Sequence, residues 1–296
     1  MDTPSIAVHS ERRGAFLVRT LRISIPSLPA AFEGYRMAHL SDFHLGPATS
    51  VEHLRSAFTI TRELEPQLFL LNGDYVQNAR IGLNQTLKNR VHPKVFGWTN
   101  YRRGVRLLAE QLGELIAKSA PPDGVFAVFG NHDYMEGIGS IVRKFPKDVR
   151  WLTNTWTGVQ KGDSQIVIAG IDDINRGKPD LANALRGLAP EPGAAQKTDA
   201  SFRILLSHNP DVTIHREAPL LEHVDLVLCG HTHGGQICLP VWGPIVTRTR
   251  QSLHTRGLSH HGKTPIYTST GVGYGAIGLR LLCPPEITMI ELRSGK

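Results

Sequence analysis

Asp225-Leu226-Val227-Leu228-Cys229-Gly230-His231-Thr232-His233 runs a short, β-prone apolar segment straight into a tight cluster of glycine and histidine. The apolar residues are continuous rather than alternating, the pattern of a strand buried on both faces. Four other segments repeat the arrangement. Residues 35–40 run into Ser41-Asp42-Phe43-His44, and residues 68–71 into Asn72-Gly73-Asp74. Residues 125–129 run into Gly130-Asn131-His132-Asp133, and residues 204–206 into Ser207-His208-Asn209. Two further runs, 166–169 and 265–269, read as strands without this chemistry, although Asp172 and Asp173 follow the first.

Helical patterns fall between these strands. Thr49-Ser50-Val51-Glu52 reads as a capping box before a helix that must stop near Pro66. Residues 103–118 carry Val105, Leu108, Leu112, Leu115 and Ile116 at helical spacing. Pro179-Asp180 opens a shorter helix expected to run to about residue 188, and residues 189–200, with Pro190, Pro192 and Gly193, read as a surface loop. Strands alternating with helices argue for an α/β fold. The polar clusters extend from residue 42 to residue 233, so a site built from all of them favours one domain spanning 1–296. Residues 1–20 read as an N-terminal extension.

Composition narrows the class. The chain has 296 residues, 41% hydrophobic and 20% charged, ordinary for a globular protein. No run approaches the roughly 18 apolar residues of a membrane span. Residues 1–13 carry charges and no apolar core of a secretory signal, which sets a cytoplasmic location as the expectation, with contact at the inner membrane face as an extension of it. Three cysteines, Cys229, Cys238 and Cys283, form no paired spacing and argue against a disulfide framework. Collagen-like, disulfide-stapled, disordered and membrane-spanning classes are thereby excluded.

The net charge of +7 is unevenly placed. Residues 79–109 hold seven Lys and Arg and no acid, with Phe96, Trp98 and Tyr101 among them. Residues 226–285 hold five more cations, again with no acid, leaving the rest of the chain net acidic. Local basic surface attracts phosphate, nucleic acid or anionic lipid. Residues 79–109 are expected to form a basic, aromatic insertion acting as a lid or as a patch on anionic membrane. The loop 239–246, with Trp242 and two prolines, is expected to help wall the site.

In open α/β sheets ligands bind beyond the carboxyl ends of the strands. The five clusters would there bring together Asp42, His44, Asp74, Asn131, His132, His208, His231 and His233. Oxygen and imidazole donors without thiolate suit divalent Zn, Fe, Mn or Co. In Asp42-x-His44 and His231-x-His233, extended backbone aims both members of a pair to one side. Glycines before Asp74, Asn131 and His231 allow the close backbone approach that a crowded centre requires. His39, inside the first strand, reads as a core residue or as support for a ligand, and Cys229 as a buried small hydrophobe.

These motifs, in this order, resemble the calcineurin-like metallophosphoesterase superfamily, and the wider wording resembles a bacterial branch of small phosphodiesterases. UDP-2,3-diacylglucosamine pyrophosphatases share the same motif set. The resemblance implies a four-layer α/β/β/α sandwich with a dinuclear metal site. It implies one metal on Asp42, His44, Asp74 and His233, and a second on Asp74, Asn131, His208 and His231, with Asp74 bridging. It gives His132 the reacting phosphoryl group or the leaving oxygen, and Asp133 the orientation of the His132 ring. The implied activity is hydrolysis of a phosphodiester or pyrophosphate in a small or lipid-linked anionic substrate, through attack by a metal-bound hydroxide. The expected ions are two divalent cations, manganese first, with iron, zinc or cobalt as alternatives. A nuclease of the same superfamily is the second reading, disfavoured because no nucleic-acid-binding motif is evident. A non-catalytic scaffold on the same fold is the third, disfavoured because every ligand position is filled.

Overall fold

Within residues 68–71, Leu68 and Leu70 belong to one buried apolar cluster while Phe69 and Leu71 belong to another. A strand with two apolar faces must be covered on both sides, and this requirement stacks the layers. The computed structural model describes residues 4–78, 98–188, 200–275 and 278–295.

One sheet has seven strands: β1 (Ser5–Arg13), β2 (Phe16–Ile25), β3 (Arg36–Leu40), β4 (Leu68–Asn72), β5 (Val125–Val128), β6 (Arg150–Trp151) and β15 (Glu286–Ser294). Their order across the sheet is β1-β2-β15-β3-β4-β5-β6. The central β3, β4 and β5 are parallel, whereas β15 pairs parallel with β2 and antiparallel with β3. The other sheet has six strands: β7 (Thr155–Lys161), β8 (Ser164–Gly170), β9 (Ala200–Leu206), β10 (Leu226–Cys229), β13 (Gly257–His261) and β14 (Thr264–Thr268), ordered β13-β14-β10-β9-β8-β7. A small hairpin, β11 (Cys238–Leu239) with β12 (Gly243–Pro244), stands apart from both.

Three apolar clusters show four layers. Between the sheets lie Met37, Leu68, Leu70, Phe126, Ile168, Leu206 and Leu228. Outside the first sheet, Phe69 and Leu71 pack with Leu54 and Phe58 of α1 (Val51–Glu63) and with Val105, Leu112 and Ile116 of α2 (Trp98–Ser119). Outside the second, Val167, Leu205 and Val227 pack with Leu181 and Ala184 and with the 3₁₀ turns at 210–223. The fold is thus the α/β/β/α sandwich expected from the motifs.

Local signals explain the helix ends. The Ser50 hydroxyl accepts the His53 N–H at 3.1 Å and caps α1, with Glu52 in its first turn. Between β5 and β6, α3 (Asn131–Glu136) and α4 (Ile138–Val142) are separated by Gly137 at φ 99°. The helix expected over 180–188 is shorter, α5 (Leu181–Ala184), capped by Asp180. Past it the chain turns through Gly187 at φ 78°, while Trp156 Nε1 holds the Arg186 carbonyl at 2.9 Å. Of the extension expected over residues 1–20, residues 5–20 belong to the β1–β2 hairpin, which runs on to Ile25.

Of the expected basic insertion, residues 79–97 lie outside the described residues, and residues 98–109 open α2. Tyr101, expected in a lid, packs against the α1–α2 core, and its hydroxyl donates to Glu136. Of the loop expected over 189–200, residues 189–199 lie outside the described residues, and Ala200 begins β9. Among the described residues, no helix is long and apolar enough to cross a membrane.

Candidate metal centre

All five polar clusters leave the carboxyl ends of adjacent strands. Asp42 and His44 follow β3, Asp74 follows β4, Asn131 and His132 follow β5, His208 follows β9, and His231 and His233 follow β10. Within each sheet, backbone bonds tie neighbouring loops together. The Asp42 N–H donates to the Gly73 carbonyl at 3.0 Å, His44 to Asp74 at 2.9 Å, and Gly230 to His208 at 2.9 Å. Asp42, His44, Asp74, His231 and His233 all have φ between 43° and 68°. Left-handed backbone at non-glycine residues costs energy and persists where surroundings over-determine it, a situation common at active sites. The glycines behave as their positions imply. A Cβ on Gly73 would lie 2.5 Å from the Gly130 nitrogen, and one on Gly130 would lie 2.3 Å from Asp74 Oδ1.

The side chains converge as three overlapping groups: Asp42, His44 and His233; His44, Asp74 and His132; and Asp74, His208 and His231. Within each, one donor atom per residue lies within 4.8 Å of the others. Asp74 stands between two sets, its Oδ2 3.4 Å from His44 Nε2 and 3.3 Å from His208 Nε2. Asp42 Oδ1 lies 3.5 Å from His233 Nε2, and the Nε2 atoms of His44 and His233 are 3.0 Å apart. His208 is aimed by its other nitrogen, Nδ1, which is 2.7 Å from the Asn72 carbonyl. Such a bond to the outer nitrogen leaves Nε2 free to ligate.

The donor set fits divalent cations. Asn131 Oδ1 and His231 Nδ1 are buried and have no hydrogen-bond partner, while His208 Nε2 lies against the Asp74 carboxylate at 3.3 Å. Buried polar atoms left unpaired are costly, and these two lie on the loops that also bring two carboxylates together. Burial, reinforced by the Asp74 charge against the pull of His208, pushes the Asp42 carboxyl up to about 6. Burial lowers His44, His231 and His233, so these rings stay neutral, the form that binds metal. The Arg248 charge adds to all three of these effects. Burial would lower His208 too, but the Asp74 carboxylate holds it well above its usual value.

His132 sits at the edge of the cluster. Its ring meets the His44 ring edge-on at 4.8 Å, and its backbone N–H donates to Asp74 Oδ1 at 2.8 Å. Asp133, expected to orient that ring, is engaged by backbone amides. It accepts from Asp74 at 2.9 Å, from Tyr75 at 2.9 Å and from Gly130 at 2.7 Å. Its carboxylate therefore ties the loop after β4 to the loop after β5. Asp172 and Asp173 shape their own turn, accepting from the N–H groups of residues 173, 175, 176 and 178.

Sequence reasoning missed three contributors. Arg280 Nη2 lies 3.2 Å from His233 Nδ1 and donates to the carbonyls of Thr270, Gly271 and Gly273. Gly271 and Gly273 lie against the Asp42 loop, where added Cβ atoms would meet Asp42 Cβ at 2.6 Å and the Phe43 carbonyl at 2.0 Å. The alternate glycines of Gly271-Val272-Gly273-Tyr274-Gly275 were the available signal. Asn72 spans the sheets, its Nδ2 reaching the carbonyls of Leu228 at 3.0 Å and Ser207 at 3.3 Å.

Comparison with known proteins agrees with this geometry. The sequence profile of the calcineurin-like phosphoesterase family matches residues 35–235. The metallophosphoesterase YkuE of Bacillus subtilis (strain 168) is 31% identical over 285 residues, covering 94% of this chain and 86% of that protein. The phosphodiesterase YaeI of Escherichia coli (strain K12) is 30% identical over 264 residues, covering 87% of this chain and 82% of its own. A metallophosphoesterase of Aquifex aeolicus (strain VF5) is 29% identical, with 93% of this chain and 91% of that one covered.

Proposed function

This chain belongs to the calcineurin-like phosphoesterase family, and from that premise we propose that it cleaves a phosphodiester or pyrophosphate bond at a two-cation centre. Membership makes it a metal-dependent phosphoester hydrolase. The observation that carries the finer reading is Asp74 Oδ2, set between His44 Nε2 and His208 Nε2 at 3.4 and 3.3 Å, with Asn131 Oδ1 and His231 Nδ1 left unpaired among the residues on the His208 side.

Asp42, His44, Asp74 and His233 would hold one cation, and Asp74, Asn131, His208 and His231 the other. When bound, a pair of divalent cations supplies an acidified water and stabilises both the attacking and the leaving oxygen of an in-line displacement. Asn131 contributes a neutral oxygen where a third carboxylate would cancel positive charge that a phosphate needs. His132, beside this set and in contact with the His44 ring, is placed to give a proton to the departing oxygen. Asp133 keeps the loops bearing Asp74 and Asn131 in register through its backbone bonds. Arg248 offers a positive charge to an anionic substrate arriving at the centre. The name of the YaeI relative, a phosphodiesterase, supports the diester reading.

The test is turnover of an aryl phosphodiester and an aryl monoester by chelator-treated protein before and after Mn²⁺ is restored. Metal-dependent cleavage of the diester in preference to the monoester is expected. Cleavage of the monoester alone overturns the diester reading, and a protein that takes up no metal overturns the centre.

A further inference from the structure

Nine of the thirteen exposed large apolar side chains among the described residues lie between positions 239 and 282. Eight of them sit on two segments bonded to each other, 239–246 and 279–282. The Cys238 N–H donates to the Leu281 carbonyl at 2.9 Å, the Leu281 N–H to Gln236 at 3.0 Å, and Gln236 Nε2 to Leu279 at 2.9 Å. At the tip of the β11–β12 hairpin, Val241 is fully exposed and Trp242 is 85% exposed. Ile245, Leu279, Leu281 and Leu282 are exposed beside them. Monomeric proteins rarely display such a run of apolar surface without using it.

The patch adjoins the metal centre. The hairpin begins five residues after His233, and Arg280, between Leu279 and Leu281, reaches the His233 ring. Along this stretch of chain the charge has one sign. No Asp or Glu occurs from 226 to 285, and Arg248, Arg250, Arg256 and Lys263 are exposed. Arg256 lies against the hairpin base, its guanidinium 3.4 Å from Cys238 Sγ.

We propose that this hairpin and the 279–282 segment dock on an anionic lipid bilayer, with Val241 and Trp242 entering the interface and the flanking arginines meeting lipid phosphates. Tryptophan favours the boundary between headgroups and acyl chains, and basic residues near an anionic leaflet add attraction. Two copies of this chain packed through the same patch would oppose cations to cations, so a bilayer is the better match. Docking turns the metal centre toward headgroup phosphates. That consequence rests on the phosphoesterase reading, whereas the docking itself does not.

The experiment is co-sedimentation with vesicles of phosphatidylcholine alone and of phosphatidylcholine mixed with phosphatidylglycerol, for the intact protein and for Val241→Ser/Trp242→Ser. Binding to the mixed vesicles, weakening as salt rises, is expected. The double variant should bind about tenfold to a hundredfold less, the range for losing a buried apolar side chain or two. Its Tm and its Mn²⁺ content should match those of the intact protein, showing that the fold and the centre are undisturbed. Equal binding to both vesicle types, or full binding by the double variant, overturns the proposal. So does an absence of vesicle binding together with a dimer that the double variant dissolves, which assigns the patch to a second copy. Vesicle binding is read without turnover, so an intact protein that binds lipid but cleaves no diester sinks the phosphodiesterase reading alone.

Discussion

Asp133 accepts the backbone N–H of Asp74 at 2.9 Å while sitting two residues past Asn131, so one carboxylate holds the two loops that carry the proposed shared ligand and its amide neighbour. Replacing it with asparagine leaves one oxygen for three amide donors and turns an N–H₂ toward them. Asp133→Asn should lose about 2–5 kcal/mol of stability, the scale for stranding buried donors. Urea unfolding checks this, with metal content measured alongside. A variant as stable and as metal-loaded as the parent would remove the role given to Asp133.

Asp74→Asn and His132→Ala should separate binding from chemistry. The first removes the carboxylate between His44 and His208 and should cut metal content and activity by more than the roughly 10–100-fold typical of losing a ligand's hydrogen-bond partner. The second should keep its metal and lose about 10²–10⁴-fold in kcat. Elemental analysis beside kinetics reads the difference, and an equal loss of metal in both would collapse the division of roles.

Gly73 has φ 82°, and a Cβ there would also lie 2.8 Å from His208 Nδ1. Gly73→Ala must therefore strain the backbone and push on a proposed ligand together. A fall in Tm together with weakened Mn²⁺ affinity is expected, and calorimetry of both checks it. Gly162→Ala, at φ 59° with open space around its Cβ, is the control that carries the backbone strain without the crowding.

His39 is fully buried between the sheets, and burial lowers its pKa from 6.5 to about 3. Its Nε2 is 3.1 Å from Asn72 Nδ2, which donates to the neutral ring. Unfolded chain therefore binds a proton near pH 6.5 that the folded chain refuses until about pH 3, and stability falls as pH drops through that window. The slope from this one group approaches about 1.4 kcal/mol per pH unit. Denaturant unfolding of His39→Leu over the same window should give a slope shallower by about one proton. An unchanged slope would mean that His39 is not the group concerned. Protonation of the other buried histidines is common to both proteins and cancels in the comparison.

The centre was legible in sequence because each chemical cluster follows an apolar strand without a gap, as in Leu68–Asn72 leading to Gly73-Asp74. The sheet edges were harder to read. β1 is mostly exposed and polar, and β15 buries Glu286, Thr288 and Glu291. Tyr267 and Arg19 satisfy Glu286, from positions far away in the chain. The same distance hid Arg280 and the glycines at 271 and 273, whose meaning depends on the Asp42 loop some 230 residues earlier. Local pattern reports what a segment does for itself, and these residues act on remote partners.

β15 lies between β2 and β3 and, among the described residues, is the strand that joins the β1–β2 hairpin to the rest of its sheet. During synthesis on the ribosome, β2 and β3 emerge early but have no partner to join them until residues 286–294 follow. The loops of the candidate metal centre, after β3, β4, β5, β9 and β10, will all have been made by then, with the sheet behind them still in two pieces. Completion of this sheet therefore waits on β15. A nascent chain stalled before residue 286 should present the open edges of β2 and β3 to chaperones rather than to each other.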